Sequence, residues 1–214
     1  MDIYGHHAIK CAHGGDFHRR HTQVRNTGYK ICHSLGYVVG SEDSSVLAGY
    51  DPARQGARPA DISVACLYGS STAAIDFSIA FNVGISTSGT YSPMHALEDR
   101  HAKKHRDYAQ LCTTHGVVFK SFVMGSHGGF DLDAEELLYR LALNWSLKHG
   151  TKRDDALHSL RMSFSVALET SQNQSLCDRG LSTHGLPIFR RRGLQLPHEL
   201  FTAPPGVANV SDVA

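Results

Sequence analysis

A chain of 214 residues is long enough for one domain with a modest extension and a buried core. Its 41% hydrophobic content and mean hydropathy of −0.25 are ordinary for a globular protein, and no run reaches the ~18 apolar residues that a membrane span needs. Twenty-one basic residues against 20 acidic ones leave a net charge of +1, which excludes an argument for a nucleic-acid partner from overall charge and shifts it to where the charges lie.

Residues 1–16 are rich in Gly and His and read as irregular. From Phe17 to Leu35 the pattern predicts a helix with Val24 and Ile31 inward, Arg19, Arg20, Arg25 and Lys30 on the wet side, and Gly36 as its terminator. Tyr37, Val38 and Val39 begin a first strand, and a loop rich in Gly, Ser, Asp and Pro runs from Gly40 to Pro59. Two strands follow. In the first, Ile62, Val64 and Cys66 alternate; the second, Ala74 to Phe81, is nearly continuous apolar, and Gly69-Ser70-Ser71 between them predicts a hairpin. Gly84 to Pro93 is a loop. Met94 to Thr114 lacks Gly and Pro and reads as a long helix ended by Gly116. Val117 to Met124 forms a buried strand, closed by Gly128-Gly129. Asp133 is the expected N-cap of a helix carrying Leu137, Leu138, Leu141 and Leu143, and a last helix spans Arg153 to Ser171. Beyond Gly185, four prolines and the Arg190-Arg191-Arg192 run read as a flexible tail. The expected class is α/β, a mixed sheet flanked by helices with a C-terminal helical extension.

The 15 histidines are unusual in number, and compositional drift is favoured over a metal store as their explanation. Cys11, Cys32, Cys66, Cys112 and Cys177 form no CxxC pair and are odd in number, which points to a reducing compartment rather than a disulfide framework. The sharpest constellation is Arg58-Pro59-Ala60-Asp61 leading into one hairpin strand, with Asp76 inside the other. A carboxylate in Ala74-Ile75-Asp76-Phe77-Ser78-Ile79 is costly unless paired or metal-bound. Two acids on adjacent strands can converge on one hard divalent ion, the kind of ion that phosphodiester hydrolysis uses. The competing reading has Asp61 capping a turn and Asp76 facing solvent on an edge strand.

Taken together, six short motifs over residues 5–170 resemble the PD-(D/E)XK nuclease core, and more narrowly the restriction-like endonuclease domain of eukaryotic non-LTR retrotransposons and related retroelement reading frames. They are Gly5-His6-His7 through Cys11, Arg20-His21 through Arg25, Arg58 to Asp61, Ile75-Asp76-Phe77-Ser78-Ile79, Lys104 to Tyr108, and Gly128-Gly129. Met162 to Leu168 is similar to the closing segment of those domains. The resemblance implies a restriction-endonuclease-like fold at 17–150, a packed helix at 151–185, a flexible tail at 186–214, and a remnant zinc-knuckle segment at 1–16.

It further implies an Mg²⁺- or Mn²⁺-dependent DNA endonuclease, nicking target sites for a retroelement, with Asp61 and Asp76 as the metal ligands. A catalytically inactive descendant that keeps the fold and DNA binding is the alternative. The lysine usual two residues after the second acid is replaced by Ser78, so Lys104 on the next helix becomes the candidate, with Tyr108 four residues on along the same face; an ordinary solvated lysine is the competing reading. Glu42 is a candidate third carboxylate, weighed against a surface loop acid. Arg20, His21, Arg25 and Arg58 are the candidate DNA contacts, weighed against a plain basic helix face. His7 and Cys11 are a possible zinc remnant, but the cysteine pair that would complete four ligands is missing, so zinc is not expected. Two further departures, Gly125 where a glutamate is usual and Thr22 and Asn26 on the first helix, fit a decaying element. The expected partners are DNA and a reverse transcriptase of the same element, with no membrane, inside the cell and in the nucleus.

Overall fold

The computed structural model describes residues 15–41, 59–81, 93–126 and 128–184. Among these, four strands and four helices follow in the order α1 (Asp16–Ser34), β1 (Val39–Ser41), β2 (Ile62–Tyr68), β3 (Ser71–Ala80), α2 (Pro93–Thr114), β4 (Val118–Gly125), α3 (Leu132–His149) and α4 (Arg153–His184). The strands form one mixed sheet in the order β1-β2-β3-β4. The β1–β2 and β2–β3 pairings are antiparallel, and β3 pairs parallel with β4. A parallel pair needs a crossover, and α2 provides it.

Strand periodicity divides the sheet into two faces. Ala73, Ile75, Phe77 and Ile79 of β3 join Phe122 and Met124 of β4 in the larger core, with Val24 and Ile31 of α1, Leu137, Leu138 and Leu141 of α3, and Leu160, Phe164 and Leu168 of α4. Phe77, Phe122 and Phe164 meet at its centre, with ring centroids 4.5–6.4 Å apart. The alternate residues face α2: Ala74 lies with Cys112 and Phe119, and Ala80 with Leu97 and Val123. Asp76 falls between Ala74 and Ser78 on this second face, beneath α2.

Gly28 has a specific reason to be glycine. A Cβ there would drive into the Phe77 ring, so α1 lies close on β3 because that side chain is absent. The hairpin turns through Gly69, at φ 69°, with Tyr68 opposite Ser71.

Several expectations are corrected. Asp131, not Asp133, caps α3, accepting from the Ala134 N–H. Of the leucines of that helix, Leu137, Leu138 and Leu141 lie on the inward stripe and Leu143 lies off it, exposed. Strand β1 begins at Val39 rather than Tyr37, whose hydroxyl instead accepts a 2.5 Å hydrogen bond from Asn144. The alternation of β2 breaks at Cys66, exposed and at φ 57°, where the register with β3 shifts. Helix α4 runs to His184, well past Ser171. Gly40 and Ser41 belong to β1, Pro93 opens α2 and Asp16 opens α1, while the rest of the expected loops at 40–59 and 84–93 (except Pro59), of the N-terminal segment at 1–16 (except Gly15), and the tail from 185 lie outside the described residues. No described helix is long and apolar enough to cross a membrane.

Candidate functional site

Asp61 immediately precedes β2, and its N–H donates to the Ile75 carbonyl at 3.0 Å, extending the ladder by one residue. That register sets Asp61 opposite Asp76, because Ile62 pairs with Ile75. The two carboxylates come within hydrogen-bonding reach of each other. Helix α2 completes the group from above. Lys104 donates to Asp76 Oδ2 at 2.5 Å, and its ammonium lies 5.9 Å from the centre of the Tyr108 ring. Asp61 Oδ2 also accepts the Phe77 N–H at 2.7 Å. His21 of α1 places Nε2 between Asp61 Oδ2, at 3.0 Å, and the Phe77 carbonyl, at 3.2 Å.

The electrostatics of the two acids diverge. Burial pushes Asp76 up; Lys104 opposes this and the neighbouring Asp61 charge adds to it, leaving the carboxyl at about 6. Burial also acts to raise Asp61, but the hydrogen bond and charge of His21, the Phe77 N–H and the Asp76 carboxyl outweigh it, and Asp61 lies below the ordinary carboxylate value. The hydrogen bond to Asp61 lifts His21 above the ordinary imidazole value against the opposing effect of burial. Tyr108 is raised by burial and by the Asp76 charge. A pair of hard oxygen donors, one of them stabilised in its ionised form, with a cationic side chain alongside, is chemically suited to a divalent cation of the Mg²⁺ type.

Asp61, Asp76, Lys104 and Tyr108 are therefore brought together, and His21 joins them as a partner of Asp61 on the inner side of α1. Arg20 does not stand on the wet side of its helix: it is buried, with its guanidinium 5.5 Å from the centre of the Phe81 ring. Arg20 lies four residues before Val24 and eight before Gly28, on the inward stripe, and the stripe governs its placement. Arg25 is half-buried and donates to Asn26 at 3.2 and 3.3 Å. Glu42, Arg58, His7 and Cys11 lie outside the described residues.

A second polar group lies beside the first and was not anticipated. Strand β4 is the sheet edge on this side, and its outward N–H groups need acceptors. Val123 donates to Asp131 Oδ1 at 3.1 Å and Ser121 to Asp133 Oδ2 at 3.2 Å. From α2, His101 Nδ1 contacts Asp131 Oδ2 at 2.8 Å, and His105 Nε2 contacts Asp133 Oδ2 at 2.6 Å. Lys120 reaches Asp133 Oδ1 at 3.1 Å and Glu136 at 2.5 Å. Burial works to raise Asp133, but His105 and Lys120 together hold it below the ordinary value. The spacing of His101 and His105 was a visible signal, since i and i+4 share a helix face. Beyond the C-terminal end of β3 a cleft of about 550 Å³ opens, lined in part by Phe17, Phe81, Arg100 and Lys103.

Comparison with known proteins gave no match: no family model fits this chain, and no curated protein matches it.

Proposed function

We propose that this chain is a metal-dependent phosphodiesterase acting on DNA, a nuclease with a restriction-endonuclease-like core whose activity is strand nicking. The observation that carries the reading is the convergence of Asp61 and Asp76 on adjacent strands with Lys104 held 2.5 Å from Asp76. Sequence alone offered three residues spread over 44 positions, and a four-stranded mixed sheet with a crossover helix is the frame on which such residues meet.

Asp61 and Asp76 would hold Mg²⁺ or Mn²⁺, which when bound supplies charge neutralisation at the phosphate and lowers the pKa of a water. The chain's own groups then have separate tasks. Asp61 stays ionised because His21 and the Phe77 N–H stabilise its charge. Lys104, carried on α2, places an ammonium beside Asp76 where it can orient a nucleophilic water or stabilise negative charge gathering on the phosphoryl oxygens. Its contact with Tyr108 limits the rotamers open to it. Arg100 and Lys103, together with Asp99, line the cleft beyond the end of β3, and the two cationic groups are of the kind that contacts a phosphate backbone.

A second reading is favoured by a specific observation. The site is internally compensated: Lys104 is ion-paired to Asp76, and His21 stands on both Asp61 Oδ2 and the Phe77 carbonyl. A non-cleaving descendant that retains DNA binding would show the same pairing. One experiment divides the two. Purified protein is incubated with supercoiled plasmid in Mg²⁺, in Mn²⁺ and with chelator. Cation-dependent conversion to the nicked circle supports the nuclease, whereas salt-dependent DNA binding without nicking in either ion leaves the non-cleaving reading.

A further inference from the structure

The group formed by α2, β4 and the start of α3 is independent of the proposed nuclease site, and its chemistry is different. His101, His105 and Asp133 each offer a donor atom, and these atoms lie within 4.8 Å of one another. We propose that they form a binding site for a borderline transition-metal ion of the Zn²⁺ class. Two imidazoles and one carboxylate select such an ion over Mg²⁺, which prefers oxygen ligands alone.

Three features of the surroundings support the assignment. The two rings stand one helical turn apart with centroids 4.3 Å from each other, so α2 presents both on one face. His101 has its Nδ1 fixed by Asp131 Oδ2 at 2.8 Å, and Asp131 is itself buried and anchored by Ser121 Oγ at 2.5 Å and the Val123 N–H at 3.1 Å. Outer carboxylates hold metal-binding imidazoles in this manner, fixing ring orientation and tautomer. Finally, Asp133 is positioned from its far side: Lys120 takes Oδ1, which leaves Oδ2 directed at His105 and the Ser121 N–H.

The present His105–Asp133 separation of 2.6 Å is that of a hydrogen bond. Tetrahedral ligands on bonds of about 2.0 Å stand about 3.3 Å apart, so the ion would replace the shared proton with a sub-ångström opening of the pair. Three protein ligands leave a fourth position for water. The bound ion would tie α2 to the first turn of α3, one of its ligands being the neighbour of Lys104 in the chain, but its existence does not depend on what Lys104 does.

The test uses the full chain, free of any affinity tag and freed of metal. Zn²⁺ affinity is measured by competition with a chromophoric chelator, and Co²⁺ is added separately to read its visible ligand-field bands. The expected result is one Zn²⁺ per chain, with Co²⁺ bands of tetrahedral intensity. His101→Ala and His105→Ala should each weaken Zn²⁺ at least tenfold and collapse the bands, while His7→Ala, Cys11→Ala and Asp61→Asn leave both unchanged. Circular dichroism establishes that each variant is folded; should either alanine variant fail, His101→Gln and His105→Gln replace them with polar side chains of similar reach. Absence of stoichiometric binding overturns the proposal, as does binding that survives both histidine substitutions or that is lost on His7→Ala or Cys11→Ala.

Discussion

Asp76 carries the largest electrostatic cost of its own ionisation among the residues of the candidate site. Its folded-state carboxyl is raised to about 6 by burial and by Asp61, against an ordinary value of 3.8. A carboxyl with a raised folded-state pKa binds its proton more tightly folded than unfolded, so stability declines as pH climbs from the unfolded value through the folded one. The full shift corresponds to about 3 kcal/mol, and partial solvent access reduces that to on the order of 2 kcal/mol. Asp76→Asn should therefore be more stable than wild type at pH 7–8 in chelator, by urea denaturation, with the difference shrinking toward pH 4. A pH-independent difference would mean that Asp76 titrates normally. Gly28 allows a second prediction at this scale. Replacing a mid-helix glycine by alanine ordinarily adds about 1 kcal/mol, yet here the new methyl meets Phe77, whose ring is itself packed against Phe122 and Phe164. Overpacking costs about 1–3 kcal/mol, so Gly28→Ala should lower the melting temperature; a rise would show that Phe77 yields freely.

At the scale of elements, the N-terminus of α3 does more than start a helix. Asp131 accepts from Ala134 N at 3.0 Å, from Val123 N at 3.1 Å and from Ser121 Oγ at 2.5 Å, and its Oδ2 meets His101 Nδ1 at 2.8 Å, so one carboxylate joins cap, edge strand and α2. A cap alone is worth about 1 kcal/mol, and orphaned buried donors add about 1–3 kcal/mol each. Asp131→Ala should thus destabilise by about 2–4 kcal/mol in chemical denaturation, and a loss near 1 kcal/mol would reduce Asp131 to a simple cap. The sequence made the elements legible where local signals agree. Val24 and Ile31 mark the buried face of α1, Gly36 and Gly116 follow the ends of α1 and α2, and Gly69 turns the hairpin. The hairpin also explains why Asp61 and Asp76 could be paired in advance: their strands are adjacent in the chain and a short turn fixes their register. Arg20 departs from the expected wet face because its position on the inward stripe outweighs its charge. Asp133 differs from its expected role as the cap for another reason, because Asp131, two residues before it, takes that role. Both carry the capping residue type, and only the position of the β4 edge decides which one caps and which one meets His105.

For the whole molecule, α4 decides where the folding unit ends. Ala156, Leu160, Phe164 and Leu168 enter the same core as β3 and β4, so the helix belongs to the domain and is not an appendage. Phe164→Ala should cost about 3–5 kcal/mol and do so in a single cooperative transition; separate melting of α4 would contradict this. The site joins parts from across the chain: Asp61 and Asp76 from the hairpin, Lys104 from the crossover helix, His21 from α1. Lys104 was foreseen only through resemblance, because its approach to Asp76 depends on how α2 packs over the second face of the sheet, which local pattern does not determine. Groups that act as a unit fail together, and that property gives the most direct test of the account. The measurement is the rate of plasmid nicking in Mg²⁺ by Asp76→Asn and Lys104→Ala beside wild type, with fold verified by circular dichroism and DNA affinity measured in parallel. Wild type is expected to nick, and each variant to bind DNA as before but lose at least about a hundredfold in rate. Nicking that persists at the wild-type rate in Asp76→Asn would contradict it.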